Sequence, residues 1–236
     1  MGINEKPAQT FLDSLGRHFN FEPPRSHGHS VVEAIRAMRD GKSKVFMGMG
    51  GNFASATPDT AATEAALQNC ELTIQVSTKL NRSHLVVGKE ALILPCLGRT
   101  DIDMQAAGVQ RVTVEDSFSM VHASGGVLEP LSAEMKSEPA IIAGIAEATL
   151  GKFPLDWQAL VEDYDVIRNH IEAVIPGFDN FNERIAQPGG FYLGNSARER
   201  RWNTASGKAV IHSHPLPDSI LPDRAASQLN ERTLIM

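Results

Sequence analysis

The chain has 236 residues, 42% of them apolar and 21% charged, with a formal net charge of −6. That balance implies a soluble globular protein of one large or two small domains, with room for a sizeable core. The acidic excess and 6% aromatic content disfavour nucleic-acid and membrane-surface partners, and no apolar stretch approaches bilayer length.

In chain order, apolar spacing at Phe11, Leu12, Leu15 and Phe19 predicts a first helix within 5–19, broken by Glu22-Pro-Pro24. Ser30-Val-Val-Glu33 matches a capping box, so a second helix starts there, with Gly41 as its stop. Lys44 to Asn52 reads as a strand leaving through a glycine turn. A helix follows, with Thr57 as its expected N-cap and Pro58 in its first turn. Glu71–Gln75 and Ala91–Pro95 have the length and composition of buried strands. Strand, helix and strand in this order imply a parallel crossover, and in such sheets ligands bind off the carboxyl ends of the strands.

Beyond this unit, Arg111–Val114 alternates as a strand and Ser124-Gly-Gly126 reads as a turn. Ser137 is the expected cap of a helix striped by Ile141, Ile142, Ile145, Ala146 and Leu150 and ended by Gly151. Two short helices, parted near Tyr164, are expected over 156–174. Past Pro176 glycine and proline rise; Lys208–His212 is expected as one exposed strand and Leu229–Met236 as the start of another.

The carboxyl edge of the expected sheet carries Gly48, Gly50, Gly51 and Asn52, and then the polar loop from Ser77 to His84. Hydroxyls, an amide and two cations in that loop suit a phosphate or the hydrogen-bonding edge of a purine. Ordinary NAD binding is disfavoured. Phe53 stands where the third glycine of G-x-G-x-x-G belongs, and Gln75-Val76 stands where an acidic residue would hold a ribose. The pairs His27/His29 and His212/His214 lack companion ligands and read as surface histidines. His122 beside Asp116 lacks a nucleophile motif, and Cys70 and Cys96 read as buried thiols. The cluster Arg198–Arg201 reads as a local solvated face.

Three runs together resemble a known family. Val45-Phe-Met-Gly-Met-Gly-Gly-Asn-Phe-Ala-Ser-Ala-Thr-Pro-Asp59, Leu72-Thr-Ile-Gln-Val-Ser-Thr-Lys-Leu-Asn-Arg-Ser-His84 and Ala91-Leu-Ile-Leu-Pro95 are similar to molybdopterin oxidoreductases of the dimethyl sulfoxide reductase superfamily. The formate-dehydrogenase-like alpha subunits are the branch they most resemble. Val112–Asp116, Ser137–Ile141 and Thr204–Ala209 fall in matching order, so the likeness runs along nearly the whole chain.

The resemblance implies a Rossmann-like three-layer α/β domain with a mainly parallel sheet. Residues 1–42 are its helical lead-in and 43–185 the cofactor-binding domain. Residues 186–236 form a loop-rich extension toward a missing C-terminal barrel domain. The implied cofactor is molybdenum in molybdopterin guanine dinucleotide, with a 4Fe-4S cluster outside this fragment. The implied dinucleotide-contacting positions are Gly48, Gly50, Gly51, Asn52, Gln75, Val76, Ser77, Thr78, Lys79 and Asn81. Val76 departs from the family's guanine-contacting Asp, leaving Ser77, Thr78, Lys79 or Asn81 to supply that contact. No catalytic residue and no metal ligand is expected here, so the chain alone is expected to be inactive. The implied partners are the N- and C-terminal domains of the same polypeptide and an electron-transfer partner, in the cytoplasm. The alternative is a stand-alone Rossmann-like nucleotide-binding or regulatory module without redox activity.

Overall fold

The computed structural model describes residues 4–216. It is a Rossmann-like α/β structure centred on three parallel strands, β1 (Val45–Met49), β2 (Leu72–Ser77) and β3 (Glu90–Pro95), hydrogen-bonded in that order. Val45 stands opposite Leu72, and Leu72 opposite Glu90. Because successive side chains alternate between faces, Phe46, Gly48, Thr73 and Gln75 share one face while Met47, Met49, Ile74 and Val76 share the other.

Helix α2 (Val31–Arg39) begins at the expected capping box: Ser30 Oγ accepts from the Glu33 N–H at 3.4 Å, and the Ser30 N–H donates to Glu33 Oε2 at 3.1 Å. Helix α4 (Thr60–Gln68) is capped by Asp59, which accepts from the Ala62 N–H at 3.0 Å, and not by Thr57. The residue before a proline is pushed toward extended backbone, and Thr57 has φ −94° and ψ 153°. Thr57 instead ends the short helix α3 (Phe53–Ala56), and its hydroxyl pairs with that of Thr63 at 2.6 Å. Met38, Ala66, Leu67 and Cys70 form a buried cluster against which Phe46 and Phe53 pack, so α2 and α4 cover the first face of the sheet.

The opposite face is covered by α5 (Glu138–Leu150), whose Ile141 joins Val76 and Cys96 in a buried cluster with Ile74, Leu94 and Ile145 against it. Ser137 caps it as expected, accepting from the Ala140 N–H at 3.4 Å, and Gly151 ends it. The three layers are therefore α2/α4, sheet and α5. The sequence predicts β3 as a buried strand, but Leu92 is 49% exposed and Ile93 45%. β3 is an edge strand: Leu94 packs against the cluster under α5, but Glu90 to Ile93 lie beyond both helical layers.

Two antiparallel sheets follow, of which the sequence predicts only one strand, Arg111–Val114, seen as Val112–Glu115. One is the hairpin β4 (Asp103–Gln105) and β5 (Gly108–Gln110); the other joins β6 (Val112–Glu115), β7 (Met120–Ser124) and the distant β8 (Phe191–Tyr192). Ser124 ends β7 instead of opening a turn. Helices α6 (Trp157–Glu162) and α7 (Tyr164–Val174) part at Asp163, which accepts from the Asp165 N–H at 2.9 Å. Helix α8 (Phe181–Ile185) supplies Phe181 to an aromatic cluster with Phe178 and Phe191, and α1 (Gln9–Phe19) lies nearest α7.

The residues to Leu193 form one compact unit and those from Gly194 a second. In the second, Lys208–His212 is exposed and irregular and not a strand; the Thr204 hydroxyl turns back to donate to the Lys208 carbonyl at 2.8 Å. The strand expected over Leu229–Met236 lies outside the described residues. Among the described residues no helix is long and apolar enough to cross a membrane.

The turn between β6 and β7 is held by one carboxylate. Asp116 accepts from the Phe118 N–H at 2.8 Å, the Met120 N–H at 3.0 Å and His122 Nε2 at 2.9 Å. His122, then the Met120 amide, hold this carboxyl below its usual range. A depressed carboxyl contributes stability that is present above its unfolded value, about 3.9, and is lost as pH falls through the folded one. Acid titration followed by circular dichroism should therefore show stability falling below about pH 4, with a smaller acid loss in Asp116→Asn.

Candidate functional site

Parallel pairing sends β1, β2 and β3 out of the sheet at one edge, so three loops gather there. After β1, Gly50 and Gly51 take left-handed φ values of +64° and +68°, which a side chain adopts only with strain. A Cβ built at either meets nothing within 4 Å, so the front of the turn is open. The Gly50 N–H donates to the Val76 carbonyl at 2.8 Å and anchors the turn to the end of β2.

The loop after β2 closes onto this turn. Asn81 Nδ2 donates to the Gly51 carbonyl at 2.7 Å, and Asn81 Oδ1 accepts from the Ser83 N–H at 2.9 Å. The Ser83 hydroxyl lies 3.2 Å from Asn52 Oδ1 and accepts from the Ala54 N–H at 3.0 Å. The Asn81 N–H donates to His84 Nδ1 at 3.0 Å. The same Nδ1 lies 3.2 Å from the Asn81 carbonyl oxygen, so the ring is held against the Asn81 backbone. His84 is 7% exposed, and its Nε2 is buried without a partner among the described residues.

The ten sequence-predicted positions divide by depth. Gly50, Gly51, Asn52, Thr78, Lys79 and Asn81 lie in the two loops at the edge. Gly48 is inside β1 and not in the turn; a Cβ there would lie 2.8 Å from Gln75 Oε1 and 3.0 Å from the Phe46 ring. Its physical role is to make room for the Gln75 side chain, which is 3% exposed and whose Nε2 also lacks a partner. Val76 is buried under α5 and Ser77 is buried beside it in the strand, so these side chains support the edge from beneath.

The third loop, after β3, contributes residues that the sequence reading missed. A cavity of about 140 Å³ opens between Thr78, Arg99, Asp101, Asp103, Ser137 and Glu138. Asp101 Oδ2 accepts from the Gly98 N–H at 2.7 Å, and Arg99 Nη2 donates to the Ser124 hydroxyl at 3.3 Å. Deeper, the Tyr164 hydroxyl donates to Asp103 and sits 2.7 Å from the Ser137 hydroxyl, while the Tyr164 N–H donates to Gln110 Oε1 at 2.9 Å. Burial, and then the adjoining Asp103 carboxylate, push the Tyr164 hydroxyl well above the ordinary phenol range. Arg99 and Glu138 also border a larger cleft of about 570 Å³ that reaches Met49 and Trp157. Small-molecule sites measure about 300–1,000 Å³, so the smaller cavity suits one ring or headgroup and the larger a longer ligand. The signal for this loop lay in the topology: every strand of a parallel sheet, including β3, delivers a loop to the same edge.

Among the described residues, no group of three or more His, Cys, Asp or Glu is arranged to hold a metal ion. Cys70 and Cys96 are fully buried; burial raises both thiols, and Glu138 and Asp101 raise Cys96 further. His122 pairs with Asp116 in a structural turn, 2.9 Å apart.

No protein-family model matches the chain. It is 55% identical over 218 residues to the uncharacterized oxidoreductase Rv2900c of Mycobacterium tuberculosis H37Rv, covering 92% of this chain and 28% of that protein. It is 52% identical over 209 residues to protein YdeP of Escherichia coli K12, covering 89% of this chain and again 28% of the relative. The chain thus spans 28% of the length of the curated relatives it matches.

Asn81→Ala should cost about 1–3 kcal/mol in urea unfolding, because it removes both the Gly51 clamp and the cap on Ser83. Asn81→Asp keeps the cap oxygen and loses the Nδ2 donor, so it should unfold between wild type and Asn81→Ala.

Proposed function

We propose that this chain is a section of a molybdenum-dependent, formate-dehydrogenase-like oxidoreductase, in which it binds the dinucleotide part of a molybdopterin guanine dinucleotide. The observation that supports this most is the Asn81–Gly51 hydrogen bond of 2.7 Å, which draws the loops after β1 and β2 together at the carboxyl edge of a parallel sheet. The relatives named as oxidoreductases, at 55% identity, support the redox class. The sequence resemblance supplies the choice of cofactor.

The residues present fit such a group. The open front of Gly50-Gly51 lets a ligand approach the backbone closely, as a pyrophosphate requires. Thr78 and Lys79 are exposed in the loop that Asn81 ties to this turn, a hydroxyl and a cation suited to phosphate oxygens. Guanine presents N–H donors along its Watson–Crick edge, and Asp101 and Asp103 bring carboxylate acceptors to the cavity that Thr78 lines. These two replace the guanine contact that Val76 cannot make. When bound, the molybdenum group supplies the redox chemistry, while the protein holds and orients it. This chain's share is to fix the nucleotide handle, and through it the position of the pterin. The metal ligand, the iron–sulfur cluster, the substrate pocket and the site for an electron-transfer partner then belong to other parts of a cytoplasmic polypeptide.

The gene product purified at its native length tests this. Elemental analysis should find molybdenum, and mass analysis of a denatured extract should find a guanine nucleotide. NAD, or no nucleotide, would leave a stand-alone nucleotide-binding module as the better reading. Alanine at Thr78, Lys79 and Asn81 together removes contacts of about 0.5–1.5 kcal/mol each, enough to weaken retention about tenfold or more. Unchanged occupancy would show that this loop does not hold the cofactor.

A further inference from the structure

β1 and β3 are both edge strands of the sheet, and Val45, Met47 and Met49 of β1 are exposed on one face, but only β3 is exposed on both. In β1, Phe46 packs into the cluster under α2 and α4, so one face is covered. In β3, residues Glu90 to Ile93 are all exposed, and Leu92 and Ile93 point to opposite faces at 49% and 45% exposure. Neither layer therefore covers that part of the strand. The outer hydrogen-bonding edge is open as well. The Glu90 N–H donates to Glu71 and the Cys96 N–H to Ser77, both toward β2. With a period of two, the amides of Ala91 and Ile93 point away from β2, and among the described residues β3 pairs with no other strand.

Natural edge strands are guarded by charges, prolines or bulges. Here Glu90 and Pro95 stand only at the two ends, and Ala-Leu-Ile-Leu between them is unguarded. All-parallel sheets are ordinarily covered on both faces, and strands of this composition occur inside them.

We infer that β3 is an interior strand in the native protein, paired along its outer edge by an apolar strand from the remainder of a longer polypeptide. The matched relatives favour that occupant over a second copy: the homologous stretch is 28% of their length, so most of each lies outside it. The inference rests on the reading that this chain is a section of a longer protein, and it is independent of the cofactor.

Residue-resolved hydrogen exchange on the native-length gene product tests the pairing without any variant. The outward amides of Ala91 and Ile93 should exchange within about tenfold of the inward amides of Leu92 and Leu94. Exchange of Ala91 and Ile93 on the order of 100-fold faster than that of Leu92 and Leu94 would overturn the inference. So would protection that rises with concentration alongside a dimer mass, which would make a second copy the occupant. Ile93→Lys should lower the melting temperature of that product, while Leu131→Lys, at a 98% exposed position, should not. Equal melting of the two variants would count against a covered β3. A native product of only 25.6 kDa would end the longer-protein reading itself, whereas a longer product with fast-exchanging Ala91 and Ile93 would end the pairing alone.

Discussion

The site depends on one carboxamide. Asn81 donates from Nδ2 to the carbonyl of Gly51 and accepts through Oδ1 from the Ser83 N–H. It thereby fixes the loop after β2 against the glycine turn after β1 while shaping its own loop. Gly50 and Gly51, in left-handed backbone, have no side chains with which to hold the turn. The turn is positioned from outside, by Asn81 above and by the Val76 carbonyl below. Openness toward a ligand and dependence on a neighbouring loop are two sides of the same lack of side chains.

The polar layer behind these loops is fully knit on one side and unsatisfied on the other. Asn52, Ser83, Asn81 and His84 form a continuous run of hydrogen bonds, yet among the described residues His84 Nε2 and Gln75 Nε2 have no partners in their buried positions. An unmade buried hydrogen bond costs about 1–3 kcal/mol, so two in neighbouring elements mark a region where stability has been yielded. Active and binding sites are where such concessions concentrate.

How far the sequence disclosed this arrangement follows from how local each signal is. Capping residues act on N–H groups two or three positions away, so Ser30 and Ser137 marked helix starts correctly. Thr57 misled because Pro58 forced it extended and passed the cap to Asp59. The strand β8 pairs with β7 across about seventy residues, and nothing in Phe191-Tyr192 by itself announces that partner. The convergence of the first two loops was legible because a parallel sheet dictates it. The carboxylates Asp101 and Asp103 were not, because their placement depends on the antiparallel hairpin β4–β5 that folds back toward α5 and α7. Exposure of β3 was also hidden: composition reports what a strand is made for, not whether its neighbour is present.

Behind the small cavity, the phenol of Tyr164 touches Asp103 in β4 and Ser137 at the head of α5, while its own backbone takes Gln110 from β5. The two arms of the β4–β5 hairpin and the head of α5 thus share a single mooring. None of them can shift alone without stranding a polar group, so the cavity floor moves as a block or not at all. In the proposed function, a bound ring would meet a surface whose ordering cost was settled during folding, which favours slow departure over rapid exchange.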